Sequence, residues 1–194
     1  MKKAAAGIIA AAAVIGCLRY ATAESAAEPE AEPKPVFLVE METVAAAGSA
    51  LIDGDACRNI VTDRAEEWLF RTHPKDRWFG SDNYDVNSGP FVRTKKFLIR
   101  LSRLLDFPRD CNLWMICKGK PEKVHMVIRQ KNGWSQWYSF GQMAIDPPPE
   151  MKRCLQQGET VTVTGRKSNY HSVLSPVRDA LGDVVGLIEA CTRR

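Results

Sequence analysis

The fold is decided by residues 158–191, GETVTVTGRKSNYHSVLSPVRDALGDVVGLIEAC. Within this segment, residues 160–165 alternate between apolar and polar side chains, as a strand with one buried face does. A second strand-like run covers residues 170–177. The third run, residues 183–191, is apolar on both faces for most of its length, which is typical of a central strand. A turn at residues 179–182 separates the last two runs, so the segment predicts three consecutive antiparallel strands.

The chain before this segment contains more strands and, before those, helices. Three further strands are predicted at residues 112–117, 124–130 and 134–140. A short helix over residues 151–157 separates them from the C-terminal strands. Longer helices are predicted over residues 36–51, about 55–71 and about 93–105. This order predicts an α+β domain whose N-terminal helices pack on a five- to six-stranded antiparallel sheet.

The N-terminus has the features of an export signal. Lys2 and Lys3 precede an uncharged run from Ala4 to Cys17, and Ala21-Thr22-Ala23 forms an A-x-A cleavage site. The apolar run is shorter than the roughly 20 residues that span a bilayer. We therefore expect a signal peptide over residues 1–23 and a periplasmic or secreted protein.

A second processing route is open in the same segment. Residues 14–17, Val-Ile-Gly-Cys, resemble the lipobox of bacterial lipoproteins, in which Cys17 is acylated and becomes the mature N-terminus. The protein would then be lipid-anchored in the bacterial envelope, and only in that case do we expect contact with a membrane.

The residues after the signal divide into a linker and one domain. Residues 24–35, ESAAEPEAEPKP, contain no large apolar side chain and predict a disordered, acidic, proline-rich linker. Residues 36–194 have the size of a single domain. The full chain has a formal charge of +4, and removal of Lys2, Lys3 and Arg19 reduces it to +1. This near-neutral charge argues against nucleic acid as a partner.

The C-terminal strands carry a resemblance to a known family. Residues 158–161 begin a strand, Tyr170-His171 begin the next, and Pro176-Val177-Arg178-Asp179 lead into Gly182-Asp183-Val184-Val185-Gly186. This resembles the last three strands of a Cache domain, the extracytoplasmic relative of the PAS fold, in which a "Pro-Val-x-Asp … Gly-x-Val-x-Gly" hairpin is typical. The resemblance covers about a fifth of the chain.

The resemblance implies an exported, non-enzymatic domain that senses or binds a small molecule. Such a domain transmits the signal to another protein or simply holds its ligand. The alternative is an interaction domain of the cell envelope that has no ligand pocket and acts through a protein partner. The PAS-like strand order also places the start of the first strand beside the end of the last. It therefore implies a disulfide between Cys111 and Cys191, and we expect a second between Cys57 and Cys154.

The candidate ligand-binding residues come from a polar loop that contains aromatic side chains. Arg77, Trp78, Tyr84 and Asp85 lie in this loop, where a guanidinium suits a carboxylate and aromatic rings enclose an apolar body. The alternative is that the aromatic side chains only fix the loop to the core. Further candidates, from the strands, are Trp137, Tyr170 and His171.

Catalytic and metal-binding motifs are absent from the sequence. It contains no GxSxG, no HExxH, no phosphate-binding glycine loop and no CxxC. The three histidines do not have metal-ligand spacing. We therefore expect no cofactor, no metal and no enzymatic activity, and a hydrolase or redox enzyme that uses a cysteine or histidine is the least favoured alternative.

Overall fold

The computed structural model describes residues 33–76, 84–138, 144–167 and 169–194. The predicted signal peptide, Cys17 and most of the predicted linker lie outside the described residues. The helices are α1 (Val36–Leu51), α2 (Gly54–Arg58), α3 (Asp63–Leu69), α4 (Gly89–Leu101) and α5 (Pro149–Gln157). The strands are β1 (Asp110–Ile116), β2 (Val124–Ile128), β3 (Ala144–Ile145), β4 (Val161–Thr164), β5 (Tyr170–Arg178) and β6 (Val184–Arg193).

The strands form one antiparallel sheet in the order β3-β2-β1-β6-β5-β4. The predicted α+β class is confirmed, with helices packed on a six-stranded antiparallel sheet. The first strand pairs with the last, an arrangement consistent with a PAS- or Cache-like architecture. Residues Lys34–Arg194 form one compact unit. None of the helices among the described residues is long and apolar enough to span a membrane.

Capping residues explain where the N-terminal helices begin. The single helix predicted over residues 55–71 is wrong, because the chain turns at residues 59–62 and starts again as α3. The Thr62 hydroxyl accepts a hydrogen bond from the backbone nitrogen of Ala65 at 3.2 Å, which satisfies a free donor of the new helix. The Asp53 carboxylate caps α2 in the same way, through the nitrogen of Ala56 at 2.9 Å.

The sheet separates two hydrophobic clusters. Ile188 and Val173 belong to the cluster on the side of α1, while their neighbours Leu187 and Leu174 belong to the cluster on the side of α5. All four side chains are completely buried. The central strand β6 is therefore buried on both faces, as the apolar run in the sequence predicts.

The strand predicted over residues 134–140 is wrong for its described part. Residues 134–138 have no strand structure, and residues 139–140 lie outside the described residues. The backbone nitrogens of Trp134 and Gln136 bond instead to carboxylates of the sheet, those of Asp110 and Glu189. The strand that completes the six-stranded sheet is instead the two-residue β3, which pairs with β2.

The two predicted disulfides are also wrong. All five described cysteines are free and buried. Cys111 is paired with Ala190, and Cys191 with Asp110, so the two cysteines are one residue out of register and point to opposite faces of the sheet. Cys57 lies in the α1-side cluster and Cys154 in the α5-side cluster, with the sheet between them.

We expect the thiols to be unreactive in the folded protein. Burial raises the pKa of Cys57, Cys111, Cys117 and Cys154 to about 12 and also raises that of Cys191, so very little thiolate is present at neutral pH. The protein without residues 1–23 should therefore react with a thiol reagent only after denaturation, and then at five sites. Rapid labelling of the native protein, or an intact mass that is 2 Da lower for each bridge, would contradict this.

Candidate functional site

The predicted ligand-binding residues do not converge on one pocket. Arg77 and Trp78 lie outside the described residues. Asp85 is exposed, and its carboxylate accepts a hydrogen bond from the backbone nitrogen of Asn87 at 3.0 Å. This bond orders the turn before α4. The hydroxyl of Tyr84 lies 2.5 Å from Nδ1 of His125, a fully buried histidine in β2.

The other three candidates lie on both faces of the sheet. Trp137 is buried in the α5-side cluster. His171 contacts the ring of Phe37 in α1, with the ring centroids 5.1 Å apart. Its neighbour Tyr170 points to the opposite face, where the side-chain nitrogen of Lys167 lies 5.7 Å from the ring. Tyr170 and His171 therefore cannot line the same pocket.

A buried carboxylate organises the α5 side of the sheet. Glu189 is completely buried in β6 and accepts hydrogen bonds from Trp114 Nε1, the nitrogen of Gln136 and the hydroxyl of Ser172, each at 2.9 Å. Desolvation raises the pKa of Glu189, while these hydrogen bonds act in the opposite direction. Because its oxygens are occupied by protein donors, Glu189 holds residues 134–138 on the sheet rather than binding a ligand.

Two further polar side chains hold the adjoining segment. The two carboxylate oxygens of Asp110 accept hydrogen bonds, one from Asn132 Nδ2 at 3.0 Å and the other from the backbone nitrogen of Trp134 at 2.9 Å. Asn112 donates to the carbonyl of Trp134 at 2.7 Å and accepts from the nitrogen of Gln130 at 3.2 Å. These bonds fix the end of β2 and the turn that follows it against β1.

This fixed segment forms one wall of a groove, and α4 forms the other. The α4–β2 groove has a volume of about 540 Å³, which lies within the range of roughly 300–1,000 Å³ for small-molecule sites. It is lined by Lys95, Ile99, Ser102, Arg103, Arg109, Asp110, Arg129, Gln130, Lys131 and Asn132.

Two buried donors in the lining have no hydrogen-bond partner. Arg109 is only 6% exposed; its Nη1 donates to the carbonyl of Phe107, but its Nε is unpaired. Nε2 of Gln130 is also buried and unpaired. An unpaired buried donor costs about 1–3 kcal/mol, and more for a charged group. A bound acceptor that reached these two atoms would remove that cost, which makes the groove a candidate binding site.

The rest of the lining is strongly basic. Lys95, Arg103, Arg129 and Lys131 are exposed, and within the described residues none of them forms an ion pair. Burial lowers the pKa of Arg109, since it disfavours the charged guanidinium. Guanidinium, ammonium and amide donors together suit a carboxylate or phosphate group.

Sequence reasoning missed this groove. The lysines and arginines of α4 have the spacing of an ordinary solvated helix face, and Arg109, Arg129 and Lys131 belong to no motif. The residues come together only because β1 and β2 pair in one register and α4 lies alongside. Glu189 did give a signal, since it is a carboxylate within the mostly apolar run of residues 184–191.

No family model matches this chain, and no curated protein or solved structure gives a significant match. The described residues also contain no group of three or more histidine, cysteine, aspartate or glutamate side chains that would hold a metal ion. The geometry of the groove is therefore the basis for a functional proposal.

Proposed function

We propose that this protein is an exported, non-enzymatic domain of the PAS and Cache type that binds a small molecule in the α4–β2 groove. The observation that carries the proposal is the pair of buried, unpaired donors, Arg109 Nε and Gln130 Nε2, in a groove of ligand size. The pairing of the first strand with the last supports the assignment to this type of fold.

The composition of the groove favours binding over catalysis. Its lining contains no cysteine or histidine, and its one acidic residue, Asp110, has both oxygens occupied by hydrogen bonds from the protein. The hydroxyl of Ser102, which also belongs to the lining, donates to the carbonyl of Ile99, and the lining holds no histidine or free carboxylate that would activate it. The donors are instead arranged to hold a group that accepts hydrogen bonds.

Gln130→Leu tests the proposal. We expect the melting temperature of the unliganded protein to stay the same or rise, because the substitution removes an unpaired buried amide. The thermal shift produced by a ligand should fall by at least half, because a ligand that binds only the folded state stabilises it by an amount that grows with the logarithm of its concentration divided by its Kd. The measurement is a thermal-shift screen of residues 24–194 against carboxylates, amines, amino acids, nucleobases and organic phosphates.

The matched control is Gln156→Leu, which changes an exposed glutamine in α5, outside the groove. It should leave both the melting temperature and the ligand shift unchanged. If no compound stabilises the protein, the proposal fails, and the envelope interaction domain becomes the better hypothesis. A shift that survives in Gln130→Leu but disappears in Arg77→Ala would place the site in the predicted loop and would refute the groove.

A further inference from the structure

The charge of the groove lining indicates the charge of the ligand, an inference that rests on the proposed function. Five basic side chains line the α4–β2 groove: Lys95, Arg103, Arg109, Arg129 and Lys131. They come from α4 and the turn after it, from the residue before β1, and from the residues that follow β2. Among the described residues none of the five is in an ion pair. Like charges gathered around one concave site repel each other, and an anion in the groove relieves that repulsion.

The acidic residue of the groove does not neutralise this charge by direct contact. Asp110 is 1% exposed, and its oxygens are occupied by Asn132 and by the nitrogen of Trp134. It contributes one negative charge against five positive ones. A ligand with a single charge would leave most of the positive charge uncompensated.

The donors of the lining fall into two groups by exposure. Arg109 and Gln130 carry the buried, unpaired N–H groups, which suit one anionic group. The exposed cations are Lys95 and Arg103 on the side of α4, and Arg129 and Lys131 on the side of β2. A second anionic group of the same ligand would lie between these exposed side chains.

One of the wall cations is held in place before any ligand binds. Nη1 of Arg129 donates to the hydroxyl of Tyr138, and the guanidinium lies 5.2 Å from the centre of the tyrosine ring. An arginine that is already positioned loses less conformational entropy when it binds an anion. The β2 wall is therefore partly preorganised.

The apolar part of the lining is small. Ile99 is the one large apolar side chain among the residues that line the groove, and no aromatic ring belongs to that set. A nucleobase or another flat ring would find no stacking surface there. The ligand should therefore be compact as well as charged.

We propose that the ligand of the α4–β2 groove is a compact multivalent anion, with at least two carboxylate or phosphate groups on a small skeleton. Carboxylates and phosphates share the recognition chemistry of this donor set, so the choice between a di- or tricarboxylic acid and a phosphorylated small molecule is left to the measurement.

The charge around the groove also affects how the ligand arrives. Five positive charges and one negative charge line the groove, which gives one concave site a formal net charge of +4. Such a concentrated positive field raises the encounter rate with anions, and salt weakens it.

The experiment is calorimetric titration of residues 24–194 with acetate, succinate, citrate, inorganic phosphate and glycerol phosphate. We expect citrate to bind at least tenfold more tightly than acetate, with succinate between them. Raising the salt concentration should weaken citrate binding more than acetate binding. Tighter binding of succinate and citrate identifies a polycarboxylate ligand, and tighter binding of phosphate and glycerol phosphate identifies a phosphorylated one.

Two arginines near the C-terminal end of α4 provide the variant and its control: Arg100 lies in the last turn of the helix, and Arg103 lies in the turn that follows it. Arg103→Gln removes a charge from the groove and should weaken citrate binding at least fivefold. Arg100→Gln removes the same charge from an exposed position of α4 that does not line the groove, and its effect should stay below twofold. Both positions are exposed, so neither variant should fail to fold.

The outcomes separate this inference from the proposed function. If a neutral or singly charged compound binds as tightly as citrate, and Gln130→Leu weakens it while Arg103→Gln does not, the groove is the site but the ligand class is wrong. If these probes and every compound of the thermal-shift screen fail to bind, the proposed function fails as well. Equal effects of Arg100→Gln and Arg103→Gln would show a general effect of charge and would overturn the inference.

Discussion

Glu189→Ala is expected to lower the free energy of unfolding by about 3–5 kcal/mol. The substitution removes the acceptor for Trp114 Nε1, the nitrogen of Gln136 and the hydroxyl of Ser172, all in a completely buried position. Each donor left without an acceptor lowers the free energy of unfolding by about 1–3 kcal/mol unless it forms another hydrogen bond. Urea denaturation followed by tryptophan fluorescence measures the change directly.

Glu122→Ala is the matched control, since Glu122 is an exposed glutamate beyond the end of β1. Substitutions of this kind usually change stability by less than 0.5 kcal/mol. If the two alanine variants were equally stable, the hydrogen bonds of Glu189 would contribute little, and residues 134–138 would have to be held by other contacts.

Gly186→Ala should destabilise the protein by about 3 kcal/mol, at the upper end of the usual effect of overpacking. Gly186 lies in the central strand β6, paired with Met115 on one side and Val177 on the other. A Cβ atom there would lie 2.3 Å from the carbonyl oxygen of Trp114 and 2.8 Å from the sulfur of Met115. The backbone oxygen cannot move without breaking the pairing of β1 with β6.

Gly119→Ala is the control for this prediction. A Cβ at that position meets its nearest neighbour, Oε1 of Glu66, at 3.8 Å, which is an ordinary contact. The measurement is the melting temperature of both variants. A Gly186→Ala protein as stable as Gly119→Ala would show that β1 can shift away from β6 at little cost. It would also leave the final glycine of the Gly-x-Val-x-Gly pattern without a structural reason.

The fold was largely predictable because it follows from the periodicity of apolar side chains. The bounds predicted for α1, residues 36–51, are those observed, and the two buried faces of β6 were visible in a run that is apolar for most of its length. The errors occurred where a local polar contact competes with periodicity. Thr62 starts a new helix within an apparently continuous one, and carboxylates of the sheet capture the backbone of residues 134–138.

The disulfides and the groove were beyond prediction for a different reason. Successive side chains of a strand point to opposite faces, so an error of one residue in register reverses the expected contacts. Cys111 and Cys191 are neighbours along the sheet, but the register separates them. The groove needs three elements in their final positions, and its key property, the unpaired Nε of Arg109, depends on burial that no sequence pattern reports.

The free thiols on both sides of the sheet have a consequence for folding under oxidising conditions. An unfolded chain exposes them all, and a bridge between Cys111 and Cys191 or between Cys57 and Cys154 would be incompatible with the native register. Oxidation and folding therefore compete, and only folding leads to a protected product. The yield of native protein should depend on which is faster, so a reductant present during refolding should increase the yield, while the same reductant should leave the folded protein unchanged.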